Sequence, residues 1–141
     1  MIQTKSQQDL VLAEECVSEV EASYPDKENK TRKTYGGLCH NFPVMVMTCG
    51  LCQAVAFSLS KAKDNERGKA HTLLLEHVAK LMLGKDAKIG DLSERIQTQD
   101  VMEYLLYTRR VLSAWIYFKR FAVSILDVDA ANAEKETGDG A

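Results

Sequence analysis

The sequence lacks any long hydrophobic run. No stretch of about 18 apolar residues occurs in its 141 residues, which argues against a membrane span. The first six residues lack the hydrophobic region of a signal peptide, so the sequence predicts no secretion and a cytoplasmic location. Only two prolines are present, and the eight glycines are scattered. The length is that of one domain able to bury a core of its own.

The recognisable motifs of catalysis are also missing. There is no glycine-rich phosphate-binding loop, no Gly-x-Ser-x-Gly turn and no evident pair of nucleophile and base. His71 and His77 are six residues apart, which is not a metal-binding spacing, so we interpret them as exposed or satisfied within their helix. The sequence therefore predicts a protein that is not an enzyme and holds no cofactor.

Four cysteines leave one alternative open. Cys49 and Cys52 have the spacing of a zinc knuckle or of a thiol redox site. A second knuckle is absent, Cys39 and His40 are directly adjacent, and no strand is predicted before Cys49. These observations favour reduced, packed thiols and no metal, with a zinc- or thiol-dependent protein as a minor alternative.

Helical periodicity runs through most of the chain. Ser6 is the predicted cap of a first helix, with Asp9 three residues later, and its apolar stripe begins at Leu10 and ends before Pro25. Residues 25–34 are polar and predict a surface loop or a loose helix start. Gly36-Gly37 predicts a break in the chain, and Pro43 then fits a first helical turn or a kink.

The second half of the chain predicts further helices. Gly50 marks another break, a helix covers residues 70–83 before Gly84, and a short turn follows at residues 91–94. Thr98 caps the longest helix, about residues 99–126, which is apolar on most of its circumference and is therefore predicted to be central. The predicted fold is all-α, a single compact bundle of about five to seven helices over residues 1–126, followed by an acidic, flexible tail over residues 127–141.

The end of the longest helix combines aromatic residues with cations. Trp115, Phe118 and Phe121 supply core area, whereas Lys119 and Arg120 between them cannot be buried without partners. One interpretation is a core helix whose Lys and Arg stems reach water. The other is an edge that contacts phosphates and is held rigid by the aromatic residues. Trp115 and Phe121 are core residues in both.

The net charge of −2 hides an asymmetry along the chain. Residues 1–26 carry six carboxylates and one lysine, a balance of −5, and residues 127–141 carry five and one, a balance of −4. Residues 27–126 therefore carry +7. The total charge argues against a nucleic-acid partner, whereas this distribution favours one, and it also suits self-stacking or a basic partner protein.

The cations of this middle region fall into three groups. Arg109 and Arg120 are eleven residues apart, so on a helix they share a face and lie about 16 Å apart. Such a pair could span several phosphates of one strand. The cations that we predict to contact RNA are Arg109, Arg110, Lys119, Arg120, Lys61, Lys63, Arg67 and Lys30. Solvated helix faces with Glu partners are the alternative.

Several runs of residues together resemble one family. They are Phe42-Pro43-Val44-Met45-Val46, Gly50-Leu51-Cys52-Gln53-Ala54-Val55-Ala56-Phe57, Tyr107-Thr108-Arg109 and Trp115-x-x-x-Lys119-Arg120-Phe121-Ala122. In order and spacing, over residues 35–126, the chain resembles the small all-helical subunit of the Cmr module, the type III-B CRISPR effector complex.

The resemblance implies a non-catalytic protein of antiviral defence that stacks as a short filament. Its implied partners are other Cmr subunits, further copies of itself, and guide and target RNA, with no membrane and no small-molecule substrate. Arg109, Lys119 and Arg120 match the family's basic contacts best. The residues expected to be structural are Pro43, Gly50, Gln53, Phe57, Trp115 and Phe121. The alternative function is a helical protein–protein adaptor that does not bind RNA.

Overall fold

A computed structural model of the chain describes residues 2–130, and within them it contains six α-helices and no strand. The helices are α1 (Lys5–Ser23), α2 (Lys30–Cys49), α3 (Leu51–Lys61), α4 (Glu66–Leu83), α5 (Ile89–Thr98) and α6 (Val101–Ser124). The predicted fold class, an all-α bundle of five to seven helices, is confirmed. None of these six helices is long and apolar enough to cross a bilayer.

Helix α1 begins earlier than its sequence pattern predicts. The cap is Thr4, whose hydroxyl accepts from Gln7 N at 3.1 Å while Gln7 Oε1 accepts from Thr4 N at 2.8 Å. The predicted cap at Ser6 is therefore wrong. Asp9 is buried, whereas Leu10 is exposed, because the buried stripe of α1 is Asp9, Ala13, Cys16, Val17 and Val20.

Helix α2 passes through Gly36-Gly37 without a break, which corrects the prediction. A Cβ on Gly36 would lie 2.6 Å from Val128 Cβ, so this glycine permits the close approach of a distant segment. Pro43 also lies inside α2 and is buried, well past the first turn. Twelve of the twenty residues of α2 are buried, which makes it the most deeply buried helix within residues 2–130.

Helix α6 supplies the aromatic centre of the core through its second half. Trp115 and Phe118 are fully buried and stacked, with ring centroids 4.0 Å apart and planes 7° apart. The ring of Phe42 in α2 lies 5.2 Å from Trp115, so the two helices share this cluster. The predicted burial of Trp115 is confirmed, and Phe121 is half-buried against the same core.

The first half of α6 differs from its prediction. The cap is Asp100 and not Thr98, and the helix starts at Val101. The apolar side chains at Val101, Met102, Leu105 and Leu106 were predicted to face the core but are exposed, and so is Ile116 further along the helix. At this level Tyr104 and Tyr107 face α3 and α5, and no helix of the described chain covers the opposite side.

Helices α4 and α5 are both longer than predicted. Asn65 caps α4, its side chain accepting from Gly68 N at 2.6 Å, so the helix starts four residues before the predicted Ala70. Gly84, with φ of +110°, ends α4 as predicted. The short turn predicted at residues 91–94 is part of a ten-residue helix, α5, which packs on α4.

Beyond α6, the chain returns across α2. Arg32 is fully buried, and its five N–H groups donate to carbonyl oxygens of Tyr24, Pro25, Ile125 and Leu126 at 3.1–3.3 Å. His40 Nε2 donates to Val128 O at 2.8 Å, and Val128 is buried. The packed chain thus extends past the predicted boundary at residue 126. Most of the predicted tail, residues 131–141, lies outside the described residues.

Candidate nucleic-acid interface

The outward face of α6 carries three exposed cations. Arg109, Lys119 and Arg120 project from a helix whose opposite face is the buried Trp115 and Phe118. Arg109 and Arg120 are eleven residues apart, which places them within about 20° of each other around the axis and about 16 Å apart along it. Lys119 lies about a quarter turn to one side. The packed core below therefore fixes the backbone positions of these three residues.

These three cations have no carboxylate partner within residues 2–130. Some of the other basic side chains in that range do have one: Lys33 Nζ lies 2.8 Å from Glu28, and Lys80 Nζ lies 3.8 Å from Glu19. A helix face with glutamate partners, the alternative interpretation of the basic pattern, therefore does not describe the outward face of α6. Its charge is open to an external anion.

Arg110, the neighbour of Arg109, has a different environment. Its Nη2 lies 2.8 Å from Asp9 Oδ1, and the Asp9 carboxylate is buried between α1 and α6. This pair joins the two helices in a partly desolvated place, where the loss of one partner is costly. The prediction placed Arg110 among the RNA contacts, but the structure places it in the packing of the bundle.

The other predicted RNA contacts are on separate elements. Lys61 ends α3, with its Nζ 5.6 Å from the centroid of the Phe57 ring, and Lys63 is exposed in the α3–α4 connection. Arg67 lies half-buried in the first turn of α4, and Lys30 is half-buried at the start of α2. No hydrogen bond or ion pair joins them to the α6 cations in the described chain. Arg32, in the same basic group as Lys30, is buried and structural.

The predicted structural residues have mixed outcomes. Gly50 separates α2 from α3 with φ of +90°, and the Tyr104 hydroxyl would lie 2.9 Å from a Cβ there. Pro43 is buried, and Phe57 is half-buried with its ring 5.9 Å from the His71 ring. Gln53, which we expected to be structural, is exposed and lies outside the core: it is on the outer side of α3, away from the buried Ala54 and Val55.

Two buried histidines were misjudged from the sequence. His77 is joined to the Tyr35 hydroxyl by a hydrogen bond of 2.6 Å from its Nδ1, and His71 Nδ1 lies 3.3 Å from Ser58 Oγ. Burial lowers the pKa of His77 to about 3 and the pKa of His71 to about 4, so both are neutral at pH 7. Neither histidine is exposed, and neither has its hydrogen-bond partner within its own helix. Their bonds link α4 to α2 and α3.

The four cysteines are free thiols. Cys16 and Cys39 are buried, and burial raises the pKa of each to about 12. Cys49 and Cys52 are exposed on either side of the Gly50 junction, and Cys52 N donates to the Tyr104 hydroxyl at 3.3 Å. Within residues 2–130, no cluster of three or more His, Cys, Asp or Glu side chains is arranged to hold a metal ion.

Comparison with known proteins gives one consistent family. The family profile described as CRISPR-associated protein (Cas_Cmr5) matches residues 5–125. The CRISPR system Cmr subunit Cmr5 of Thermus thermophilus is 33% identical over 96 residues, which are 68% of this chain and 78% of that protein. The crystal structure of a CRISPR-associated Cmr5 family protein from Thermus thermophilus aligns with a TM-score of 0.70 at 33% identity, over 87% of this chain and 98% of the other.

Proposed function

The chain belongs to the Cas_Cmr5 family of CRISPR-associated proteins, and from that premise we propose that it is a non-catalytic subunit of a type III-B RNA-guided complex in antiviral defence. It assembles with other Cmr subunits and with further copies of itself. Its outward α6 face, through Arg109, Lys119 and Arg120, contacts the phosphates of guide or target RNA.

The absence of an ion pair at these three cations within the described chain is the observation that carries the proposal. A cation already paired within the fold would lose that partner on binding RNA, whereas these three would not. The helix that carries them is already anchored through Trp115 and Phe118. Its backbone therefore does not have to become ordered when RNA binds. Phosphate contacts position a strand without reading its sequence, which suits a subunit of a complex whose guide RNA reads sequence by base pairing.

The polar interior supports a role without catalysis. The bond between Tyr35 and His77 is buried on both sides, and burial raises the pKa of Tyr35 while it lowers that of His77. Neither group therefore gains or loses a proton near pH 7. Arg32, the other large buried polar side chain, donates all its N–H groups to backbone carbonyl oxygens.

The experiment compares RNA binding by the assembled complex with two double variants of this subunit. We expect Lys119→Glu with Arg120→Glu to weaken binding, and wild-type binding to fall with salt more steeply than variant binding. Three phosphate contacts contribute a slope of about −2 in log K against log salt for a single strand, and the double variant should lose most of it. The matched control is Lys5→Glu with Lys88→Glu, the same charge change at exposed lysines beside the starts of α1 and α5.

Each outcome separates the candidate functions. Equal losses from both double variants would show a general effect of charge and would contradict the α6 site. If the Lys119 and Arg120 double variant binds RNA as tightly as the wild type at low salt, the α6 site is also contradicted. The remaining predicted contacts would then be Lys30, Lys61, Lys63 and Arg67. A complex that assembles but binds RNA identically with all these cations reversed would identify the protein as an adaptor.

A further inference from the structure

The chain that follows α6 turns back and is fixed against the last turns of that helix. Val128 is buried, and its N–H donates to Ala122 O at 3.0 Å, while its carbonyl oxygen accepts from His40 Nε2 at 2.8 Å. Asp129 and Ala130, the next two residues, are exposed. The chain therefore leaves the bundle from a fixed point beside Ala122.

This exit point lies close to the exposed cations on the outward face of α6. Lys119 precedes Ala122 by three residues, so its Cα is about 4.5 Å away along the helix axis and about 60° around it. Arg120 lies in the same turn, and Arg109 is about 20 Å back along the axis from Ala122. All three cations are thus within a short distance of the point where the chain leaves the bundle.

The sequence beyond the described residues is acidic and offers almost no apolar surface. Residues 131–141, which we call the C-terminal acidic segment, contain no apolar side chain larger than alanine and have a charge balance of −2. Charge is therefore the main attraction that this segment offers to another surface. Its charged residues are Glu134, Lys135, Glu136 and Asp139.

An acidic residue just before this segment already contacts a cation of the bundle. Lys27 Nζ lies 3.6 Å from Asp127 Oδ2, and both side chains are exposed. This ion pair sits at the surface, where the two charges are screened by salt and stabilise the fold only weakly. It shows that the chain after α6 runs along a surface that presents cations to it.

The C-terminal acidic segment is long enough to cover the outward face of α6. Glu134 is six residues beyond Val128, and six extended residues span up to about 20 Å, which is enough to reach Lys119. Asp139 is five residues further along and can reach Arg109. A tether this short gives an effective concentration of about 1 mM, so even a weak ionic contact would be partly occupied.

We propose that the C-terminal acidic segment binds the outward face of α6 when RNA is absent, and that its carboxylates compete with RNA phosphates for the three α6 cations. The inference rests on the proposed function, since it assigns a regulator to the same cations. A strand with a phosphate at every nucleotide displaces the segment, whereas a short or sparsely charged anion does not. The competition weakens as salt rises, because the contact is ionic and exposed.

The contact itself is tested without RNA, on the isolated protein. A carbodiimide joins a carboxylate to an amine only where the two are in direct contact, and mass spectrometry identifies the joined peptides. We expect an amide between Lys119 and Glu134 or Glu136, with a yield that falls at high salt. The exposed Lys88 at the start of α5 is the internal control. Equal yields at Lys119 and Lys88, or no crosslink to Lys119, would overturn the proposal.

The competition is tested on the assembled complex. Replacing the three carboxylates, with Glu134→Gln, Glu136→Gln and Asp139→Asn, should tighten RNA binding at low salt by about twofold to tenfold. This range follows from an effective concentration of about 1 mM set against a contact with a Kd of about 0.1–1 mM. At high salt the variant and the wild type should bind RNA equally.

A matched variant removes the same charge elsewhere. It carries Glu14→Gln, Glu21→Gln and Asp86→Asn, three exposed carboxylates on α1 and in the α4–α5 connection. We expect it to change RNA binding much less than the variant of the C-terminal acidic segment. Equal gains from the two variants would show a general effect of net charge and would contradict the competition.

Failure of this inference is distinguishable from failure of the proposed function. If neutralising the segment leaves RNA binding unchanged while the Lys119 and Arg120 double variant loses it, the competition is wrong and the proposed function stands. If the double variant binds RNA like the wild type, the α6 RNA site is wrong and the competition is wrong with it, whatever the crosslink shows.

Discussion

Replacing Gly36 with alanine tests how closely the C-terminal segment packs on α2. The new Cβ would lie 2.6 Å from both Cβ and Cγ2 of Val128 and 2.9 Å from its Cγ1. Favourable carbon–carbon contacts lie near 3.5–4.0 Å, so the two side chains cannot both keep their places. Either the helix and segment shift apart or Val128 leaves its site.

The expected loss of unfolding free energy can be worked out for either response, a shift of the helix and segment or the departure of Val128 from its site. Overpacking a core costs about 1–3 kcal/mol, whereas the higher helix propensity of alanine returns about 1 kcal/mol. Undocking Val128 instead loses about 1.5–3 kcal/mol of burial and about 0.5–1.5 kcal/mol for the bond from His40 to Val128 O, partly offset by regained chain entropy. We therefore expect Gly36→Ala to lower the free energy of unfolding by about 1–2 kcal/mol.

The assay is urea unfolding of the isolated protein with two comparisons. Gly90→Ala is the matched control, since no atom lies within 4 Å of a Cβ there, and it should stabilise by up to about 1 kcal/mol. In a Val128→Gly background the obstruction is gone, so Gly36→Ala should become neutral or stabilising. If Gly36→Ala stabilised the wild type as much as Gly90→Ala, Val128 would not pack on α2 and the reasoning would be refuted.

Three further substitutions, one of them with a matched control, test the core and the surroundings of Arg110. Trp115→Ala should cost about 3–5 kcal/mol, and an unchanged unfolding midpoint would contradict its burial. His77 has a pKa near 3 when folded and about 6.5 when unfolded, so its contribution to stability should be lost as pH falls from about 6.5 towards 3; His77→Asn should flatten the fall in unfolding free energy over that range. Arg110→Ala leaves the buried Asp9 carboxylate unpaired and should cost about 1–3 kcal/mol, whereas the exposed Arg109→Ala should stay within about 0.5 kcal/mol; equal effects would show that the Asp9 pair contributes nothing.

Local patterns predicted the type of fold and several helix ends. The 3.6-residue repeat identified the helical class and the core position of Trp115, and Gly50 and Gly84 end helices at φ values that other residues rarely adopt. Gly36 could not be judged in the same way. A glycine both weakens a helix and permits close packing, and the side chain that decides, Val128, is 92 residues away.

The same limit applies to the candidate site. Helical spacing was enough to place Arg109 and Arg120 on one face. It could not show that Arg110 turns to Asp9, since that partner is 101 residues away in α1. Nor could apolar periodicity show that Met102 and Leu105 are uncovered, because the pattern records which residues are apolar and not which surface covers them.

The hydrogen bonds of Arg32 also bear on the order in which the chain is made. Its acceptors include the carbonyl oxygens of Ile125 and Leu126, which a ribosome adds more than 90 residues after the arginine itself. Until Ile125 and Leu126, just beyond α6, are added, only two of the backbone acceptors of Arg32 exist, the carbonyl oxygens of Tyr24 and Pro25. The hydrogen bonding of Arg32 can therefore be completed only after these two residues are added. We therefore expect a product that ends before residue 125 to be cut by proteases faster than the full chain.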